Sequence, residues 1–251
     1  MKFIVVANWK MNPSSFREAK VLLEATRKAA ESARHASVIV APPAIFLRDL
    51  KKGYKGKKIS FALQSAHFEA GGAYTGEISL AQGKDAGATY AIIGHAERRA
   101  AGESNEDTRK KVAAALAENI TPILCVGETK RSNSGEYFGF IKEQLHAGLA
   151  DLSGTALGRI IISYEPIWAI GGEKTMSPRD MHEMAIFIRK SAIEMHGDKG
   201  MGIKIIYGGA ATESNAAQML REGDVNGLLV GHVSVNAERF ASLLQAIEGA
   251  V

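Results

Sequence analysis

Glu165 is the residue in this sequence best suited to acid–base chemistry. It directly follows an apolar run and precedes Pro166, Ile167 and Trp168. Because proline has a fixed φ and no N–H group, the Glu165 carboxylate is expected at a rigid strand end, where partial desolvation suits it to act as a general base. The structural alternative is a strand-end glutamate paired with a lysine. Glu165 considered alone leaves these two interpretations evenly balanced.

Three further polar residues follow other apolar runs. His95 comes after Gly94, and Asn8 and Lys10 come after the first run. An imidazole, an amide and an ammonium group that converge on one carbonyl can polarise it and stabilise an enediolate oxyanion. A lone histidine is more often structural, and a lone lysine is more often a surface charge. Four such groups at three strand ends nevertheless favour proton transfer next to a carbonyl.

Glycines at several strand ends predict close approach of the backbone to a ligand. They are Gly171, Gly208, Gly209 and Gly231. A backbone without a Cβ can approach a phosphate, and N–H groups at a helix start bind one well. A single glycine pair is usually only a turn, so the prediction depends on the convergence of these sites.

Two metal- or nucleotide-binding patterns are present only in part. Residues 95–97 supply a histidine and a glutamate, but the sequence has no cysteine pair and no H-E-x-x-H motif. Residues 171–175 resemble a P-loop, but Glu173 occupies the place that requires glycine before Lys-Thr. We therefore expect neither a required metal nor a P-loop.

Charge and composition limit the classes of partner. The chain has 251 residues, 46% of them hydrophobic and 23% charged, and a formal net charge of +4. So small a charge suggests attraction for anions such as phosphate rather than dedicated nucleic-acid binding, and the basic run 51–58 is interpreted as a solvated loop. No segment is long enough to cross a membrane, and the N-terminal apolar run is too short for a signal peptide. Cys125, the only cysteine, is expected in the core and agrees with a reducing, cytoplasmic location.

The candidate residues are spaced by a repeating pattern of short apolar runs and amphipathic segments. The apolar runs predict eight strands, at 3–6, 38–40, 59–63, 90–93, 123–126, 160–163, 203–206 and 228–230. The amphipathic segments predict helices, for example at 16–32, 106–119, 137–149, 178–195, 214–221 and 236–247. Ser177 followed by Pro178 is typical of a helix start, and Asn236 and the pair Glu213-Ser214 are candidate starts of the same kind.

Strict alternation of strands and helices favours a closed α/β barrel of the (β/α)₈ type, with one domain over 1–251. Strand runs that are apolar at nearly every position indicate burial on both faces, which is typical of parallel strands joined by right-handed crossovers. An open doubly wound sheet remains the alternative, but no linker or composition break divides the chain. The candidate residues follow the strands, and the carboxyl ends of barrel strands form the active face. Segments that enter the strands, such as 57–58 and 200–202, lack this assortment of hydrogen-bonding groups.

These motifs, in this order, resemble the triosephosphate isomerase family along the whole chain. The first is Ala7-Asn8-Trp9-Lys10-Met11-Asn12. The others lie at residues 72–79, 93–95, 97–99, 122–129, 164–171, 207–209 and 230–231. Several long motifs in the same order make the resemblance highly specific.

The resemblance implies interconversion of dihydroxyacetone phosphate and D-glyceraldehyde 3-phosphate through an enediolate, in glycolysis and gluconeogenesis, without metal or organic cofactor. Glu165 would move the carbon-bound proton, and His95 would act as a neutral electrophile. Lys10 would supply positive charge, Asn8 would orient the substrate, and Glu97 would hold Lys10 by an ion pair. The phosphate would be held by backbone N–H groups of Gly171, Ala210, Gly231 and His232.

The chain departs from the family pattern around this site. Ala96 replaces a common serine, which bears on the resting position of Glu165. Gly172-Glu173 replaces Thr-Gly in the expected lid, residues 166–175, which excludes water from the intermediate. Ala210 stands where a serine hydroxyl meets the phosphate, and His232 stands where a second glycine is usual. Phosphate affinity is the property that these changes affect most.

The resemblance also implies a homodimer formed through the loop 72–79. Its sequence is intact, although Ser65 replaces a common asparagine beside Gln64. A loop of this length is easier to explain when it is buried in a partner, with Thr75 near the partner's site, than when it is freely exposed. A monomer and a larger assembly remain alternatives.

Two other functions are compatible with part of the sequence. A phosphosugar aldolase would use Lys10 as a Schiff base and would be trapped covalently by borohydride in the presence of substrate. A catalytically weak relative, suggested by Ala210 and His232, would bind phosphate ligands or protein partners with negligible turnover.

Overall fold

The structure is a computed structural model that describes residues 2–132, 134–169 and 175–250. Within this part of the chain, eight parallel strands form a closed barrel in sequence order, which confirms the predicted (β/α)₈ architecture over the open sheet. The last strand pairs with the first from Ile4↔Gly227 to Ala7↔Val230. The strands are β1 (Phe3–Asn8), β2 (Ala36–Ala41), β3 (Ile59–Leu63), β4 (Tyr90–Ile93), β5 (Thr121–Val126), β6 (Ile161–Tyr164), β7 (Lys204–Tyr207) and β8 (Gly227–Val230).

The α-helices surround the barrel, and several begin at a side-chain cap. Ser177 accepts a hydrogen bond from the Asp180 N–H, and Pro178 opens the helix, as the sequence predicts. Asn236 is also a cap, but the pair Glu213-Ser214 is not, because that helix begins only after Asn215. In the described residues the helices are α1 (Phe16–Ser32), α2 (Ala44–Gly53), α3 (Leu80–Asp85), α4 (Ala96–Ala100), α5 (Asn105–Ala117), α6 (Glu136–Leu149), α7 (Gly154–Leu157), α8 (Pro178–His196), α9 (Ala216–Glu222) and α10 (Ala237–Glu248).

Two apolar cores hold the fold together. One lies between the strands and the surrounding helices, and the other fills the barrel with side chains such as Ile39, Ile92, Ile123 and Ile206. Cys125 belongs to the inner core, as expected, and burial raises the pKa of its thiol well above the usual range. Among the described helices, none has the length and apolar character needed to cross a membrane.

Closure of the barrel depends on close approach of β8 to β1. A Cβ at position 227 would lie only 1.9 Å from the Ile4 carbonyl oxygen. This oxygen belongs to the backbone, so no side-chain rotation can relieve the clash. Glycine is therefore required at the point where the cylinder closes.

We expect Gly227→Ala to lower the free energy of unfolding by about 3 kcal/mol, because the two strands must separate to admit the methyl group. Urea titration followed by circular dichroism measures this change. Gly139→Ala is the matched control, since a Cβ there meets nothing within 4 Å and alanine favours the helix. Equal stabilities for the two variants would contradict the closure argument.

Candidate functional site

The carboxylate of Glu165 is buried at the carboxyl end of β6. Its side chain is 2% exposed, and its backbone N–H donates to the Val126 carbonyl at 2.8 Å. Oε2 accepts a hydrogen bond from the Ala96 N–H at 3.0 Å, whereas Oε1 has no hydrogen-bond partner among the described residues. Glu165 is therefore held at one oxygen and available for proton transfer at the other. Among the residues that the structure describes, Glu165 forms no pair with a lysine, which was the structural alternative.

Two glycines make room for Glu165. A Cβ at position 127 would lie 1.8 Å from the Glu165 carbonyl oxygen, and a Cβ at position 208 would lie 2.8 Å from the Glu165 Cγ. The sequence analysis associated Gly208 with approach of the backbone to a ligand. In the structure its missing side chain accommodates the candidate base.

His95 follows β4, two strands away from β6 in the barrel, and faces Glu165. It caps α4, and its Nδ1 accepts a hydrogen bond from the Glu97 N–H at 3.2 Å. Because an accepting Nδ1 carries no proton, the neutral ring bears its proton on Nε2. Nε2 lies 3.9 Å from Oε1 of Glu165. The imidazole N–H and the free carboxylate oxygen thus border the same space.

Lys10 has an unusual backbone conformation that its neighbours stabilise. Its φ of 53° is in the left-handed region, which residues other than glycine rarely adopt. The Asn8 Oδ1 accepts from the Lys10 N–H at 3.0 Å, and the Gln64 amide donates to the Lys10 carbonyl at 2.8 Å. The Lys10 ammonium donates to Glu97 Oε1 at 2.6 Å. These contacts fix the position of the positive charge, and the sequence analysis did not assign Gln64 a part in them.

The β8 exit lies against the same lysine. A Cβ at position 231 would be 3.3 Å from the Lys10 Cε. His232 begins a short 3₁₀ turn there, and the Ser234 hydroxyl contacts both the Gly231 carbonyl at 2.7 Å and the Asn8 carbonyl at 3.2 Å. Ser234, which the sequence analysis missed, therefore joins the first and last strand ends. The two residues are 226 positions apart, so no local sequence pattern predicts this contact.

Ala210 and Gly171 are the other two predicted phosphate-binding residues, and only Ala210 belongs to the described part of the chain. Ala210 follows β7, and its carbonyl accepts from the Asn215 side chain at 2.9 Å, which anchors the peptide next to Gly209. Gly171 lies outside the described residues, as do Gly172 and Glu173 of the predicted lid. The described part of the phosphate region is thus the pair of exits after β7 and β8.

A buried glutamate secures the segment that follows Glu165. Glu128 is 2% exposed and accepts hydrogen bonds from the Tyr164 hydroxyl at 2.9 Å and the Trp168 indole at 2.7 Å. The Glu128 carbonyl also accepts from the Ile167 N–H at 3.0 Å. Burial and the Glu128 carboxylate raise the pKa of Tyr164, so its hydroxyl remains a donor. Glu128 follows a strand, as the candidate catalytic residues do, but only the structure shows that it bonds Tyr164 and Trp168.

The peptide before His95 has its own charged support. The Gly94 N–H donates to Glu103 Oε1 at 2.8 Å, and the Arg99 Nε donates to the Gly94 carbonyl at 2.8 Å. Glu103 also forms an ion pair with Lys111 at 2.7 Å, in which the side chains are 2% and 7% exposed. A buried pair of this kind fixes the backbone from which His95 projects.

The described residues do not contain a group of three or more His, Cys, Asp or Glu side chains placed to hold a metal ion. Glu97, which together with His95 suggested part of a ligand set, is bonded to Lys10 instead. The arrangement as a whole offers a base, a neutral N–H donor and a cation around one space, which suits proton transfer beside a carbonyl.

Comparison with known proteins places these residues in one family. The family model described as "Triosephosphate isomerase" matches residues 3–247. The chain is 39% identical over 246 residues to the triosephosphate isomerase of Endomicrobium trichonymphae, covering 97% of this chain and 98% of that protein. It is 38% identical over 244 residues to that of Roseiflexus sp. (strain RS-1), covering 96% of both chains. The similarity includes the strand ends described above.

We expect Glu103→Gln to lower the free energy of unfolding by about 3 kcal/mol, because it leaves the buried Lys111 charge without its partner. Urea titration measures the loss. Glu106→Gln removes the same charge from an exposed pair with Arg109 and should change stability little. A Glu103 variant as stable as the Glu106 variant would contradict the structural role of the buried pair.

Proposed function

The chain belongs to the triosephosphate isomerase family, and we propose that Glu165, His95, Lys10 and Asn8 carry out its reaction with support from Glu97. The enzyme is an isomerase that interconverts dihydroxyacetone phosphate and glyceraldehyde 3-phosphate, a step of glycolysis. We extend this to gluconeogenesis, because the same interconversion runs in both directions.

Glu165 acts as the base in this proposal. Its free Oε1 takes the proton from one substrate carbon and returns it to the neighbouring carbon. The observation that carries the assignment is the 3.9 Å separation between this oxygen and the His95 Nε2. This short distance supports a bound substrate whose reacting carbon contacts the base while the adjacent oxygen accepts from the His95 N–H. Ala96 supplies a backbone N–H to Oε2, so the missing serine hydroxyl does not leave the carboxylate unsupported.

His95 and Lys10 stabilise the oxygens of the enediolate. The neutral imidazole donates a hydrogen bond from Nε2 to a substrate oxygen, and this bond stabilises the negative charge that develops on that oxygen. The Lys10 ammonium, held by Glu97, supplies positive charge, and Asn8 orients the substrate. The ion pair also disfavours the aldolase alternative, because the Lys10 nitrogen is bonded to Glu97 whereas a Schiff-base lysine must attack a carbonyl carbon.

The phosphate of the substrate is proposed to bind at the late strand exits. Gly231 lies against Lys10, which supports an anion site there, and the backbone N–H groups of Ala210 and His232 complete it. Gly171 is the fourth proposed contact. We propose that the reaction needs neither metal nor organic cofactor and that residues 1–251 act as one cytoplasmic isomerase domain.

The protein is further proposed to be a homodimer that uses the loop 72–79. Within the loop, the Glu77 N–H donates to the Tyr74 carbonyl at 3.0 Å, and the Tyr74 ring packs against His67, outside the loop, at a centroid distance of 4.2 Å. Tyr74 is nevertheless 44% exposed in the single chain. Met11, which follows β1, and Ile45, which follows β2, are also exposed. Because β1, β2 and β3 are neighbours, the three residues supply an apolar surface of the kind that a partner covers.

We expect Glu165→Gln to reduce kcat by roughly 10²-fold or more with glyceraldehyde 3-phosphate as substrate, because the amide cannot accept the proton. Coupled turnover assays in the presence of a chelator measure this effect, and an unchanged thermal midpoint shows that the variant is folded. Comparable rates for both proteins would disprove the role of Glu165. Negligible turnover by the unsubstituted chain would instead support the weak-relative alternative.

We expect Tyr74→Asp to convert the dimer to a monomer, because it places a charge in the proposed interface. Sedimentation velocity should then report a mass near 26.8 kDa for the variant and about twice that for the unsubstituted chain. Phe140→Asp is the matched control, since Phe140 on α6 is 46% exposed and lies outside the loop. A monomeric unsubstituted chain would refute the dimer.

A further inference from the structure

The opposite end of the barrel contains a second cavity with an unusual set of charges. This cavity has a volume of about 550 Å³ and is lined by residues at the strand entrances. Among the described residues that line it, the charged ones are the cations Lys2, Arg159 and Lys204, and none is a carboxylate. The entering segments 57–58 and 200–202, which lack the assortment of hydrogen-bonding groups found at the strand exits, are not among the residues that line this cavity. Residues distant in sequence converge there instead.

In the described ranges, none of the three cations forms an ion pair with a carboxylate. The neighbouring acidic residues Glu118 and Asp224 are bonded to Lys84 and Arg189 instead. Like charges gathered without counter-charges raise the local positive potential, which attracts anions.

The neutral lining is also rich in hydrogen-bond donors. Asn226 uses its Oδ1 to accept from the Ile205 N–H at 2.8 Å, so the amide NH₂ is the part of this side chain left to bind a ligand. Ser37, Tyr90 and Thr121, which carry hydroxyl groups, line the same cavity. Arg159 is anchored through one nitrogen, Nη2, by long contacts of 3.4 Å to the Leu116 carbonyl and the Asn119 side chain. Its remaining guanidinium N–H groups are available for a ligand.

This cavity is separate from the catalytic site. The side chains of the inner core, such as Ile92, Ile123 and Ile206, fill the barrel between the two ends. Because the interior is packed, a ligand at the strand entrances does not occupy the space beside Glu165.

We propose that the amino-terminal mouth of the barrel binds a small anion that carries two linked phosphate groups. Three cations exceed what a monoanion needs, and the donor groups surround the cavity on several strands. Phosphate oxygens accept charge-assisted hydrogen bonds from lysine, arginine and amide donors. Ile4 and Ile161 also line the cavity, and apolar surface beside these donors lowers the local dielectric constant and strengthens such bonds.

The test uses pyrophosphate as the probe and amide NMR of the full chain as the measurement. We expect saturable shifts at Gly158 and Ile161 beside the cavity, in addition to any shifts at Gly231 on the catalytic face. Lys204→Gln should weaken binding at the cavity roughly three- to tenfold and leave kcat/KM unchanged, because Lys204 does not contact the catalytic site. Lys190→Gln, which removes the same charge from exposed α8, should leave both properties unchanged.

Two results would overturn the proposal. One is shifts that NaCl reproduces at matched ionic strength, and the other is equal affinity in the Lys204 and Lys190 variants. A second titration with ADP identifies the source of the ligand. Equal affinity for ADP and pyrophosphate would mean that the diphosphate alone is recognised, and tighter binding of ADP would assign the site to a nucleoside diphosphate.

Discussion

A carboxylate buried with a single backbone donor is the feature around which the catalytic end of this barrel is organised. Removal of a carboxylate from water is costly unless other groups replace its hydration. The Ala96 N–H does this for Oε2 of Glu165, and Oε1 is left for chemistry. The surrounding backbone maintains the arrangement, because the missing side chains at Gly127 and Gly208 let three strand ends approach closely. The close approach of these strand ends therefore fixes the position of the Glu165 carboxylate.

Charge is distributed so that each catalytic group has a fixed neighbour. The Lys10 ammonium bonds Glu97, and Glu97 also donates its backbone N–H to the His95 ring. One short segment thereby positions both the cation and the neutral imidazole. Behind it, Glu103 and Lys111 support the peptide of Gly94, and Glu128 holds the residues beyond Glu165. Preorganised groups of this kind need little rearrangement when charge develops on a substrate.

The two ends of the barrel use cations differently. At the carboxyl end, Lys10 is paired with Glu97. At the amino end, Lys2, Arg159 and Lys204 line one cavity, and no described residue of its lining is a carboxylate. The small net charge of +4 does not reveal this division, because it averages over both ends. Electrostatic recognition depends on local arrangement, which only the closed barrel creates.

The sequence by itself determined the barrel and supplied the candidate catalytic residues, since periodicity and strand-end position are local properties of the chain. It also identified the family through several ordered motifs. Tertiary structure alone decided the parts that depend on distant contacts. Gln64 supports Lys10, Ser234 joins the first and last strands, and the Ala96 backbone replaces an absent hydroxyl. The physical reason is that a hydrogen bond depends on distance and direction in space, and residues 226 positions apart, such as Ser234 and Asn8, meet only when the barrel closes.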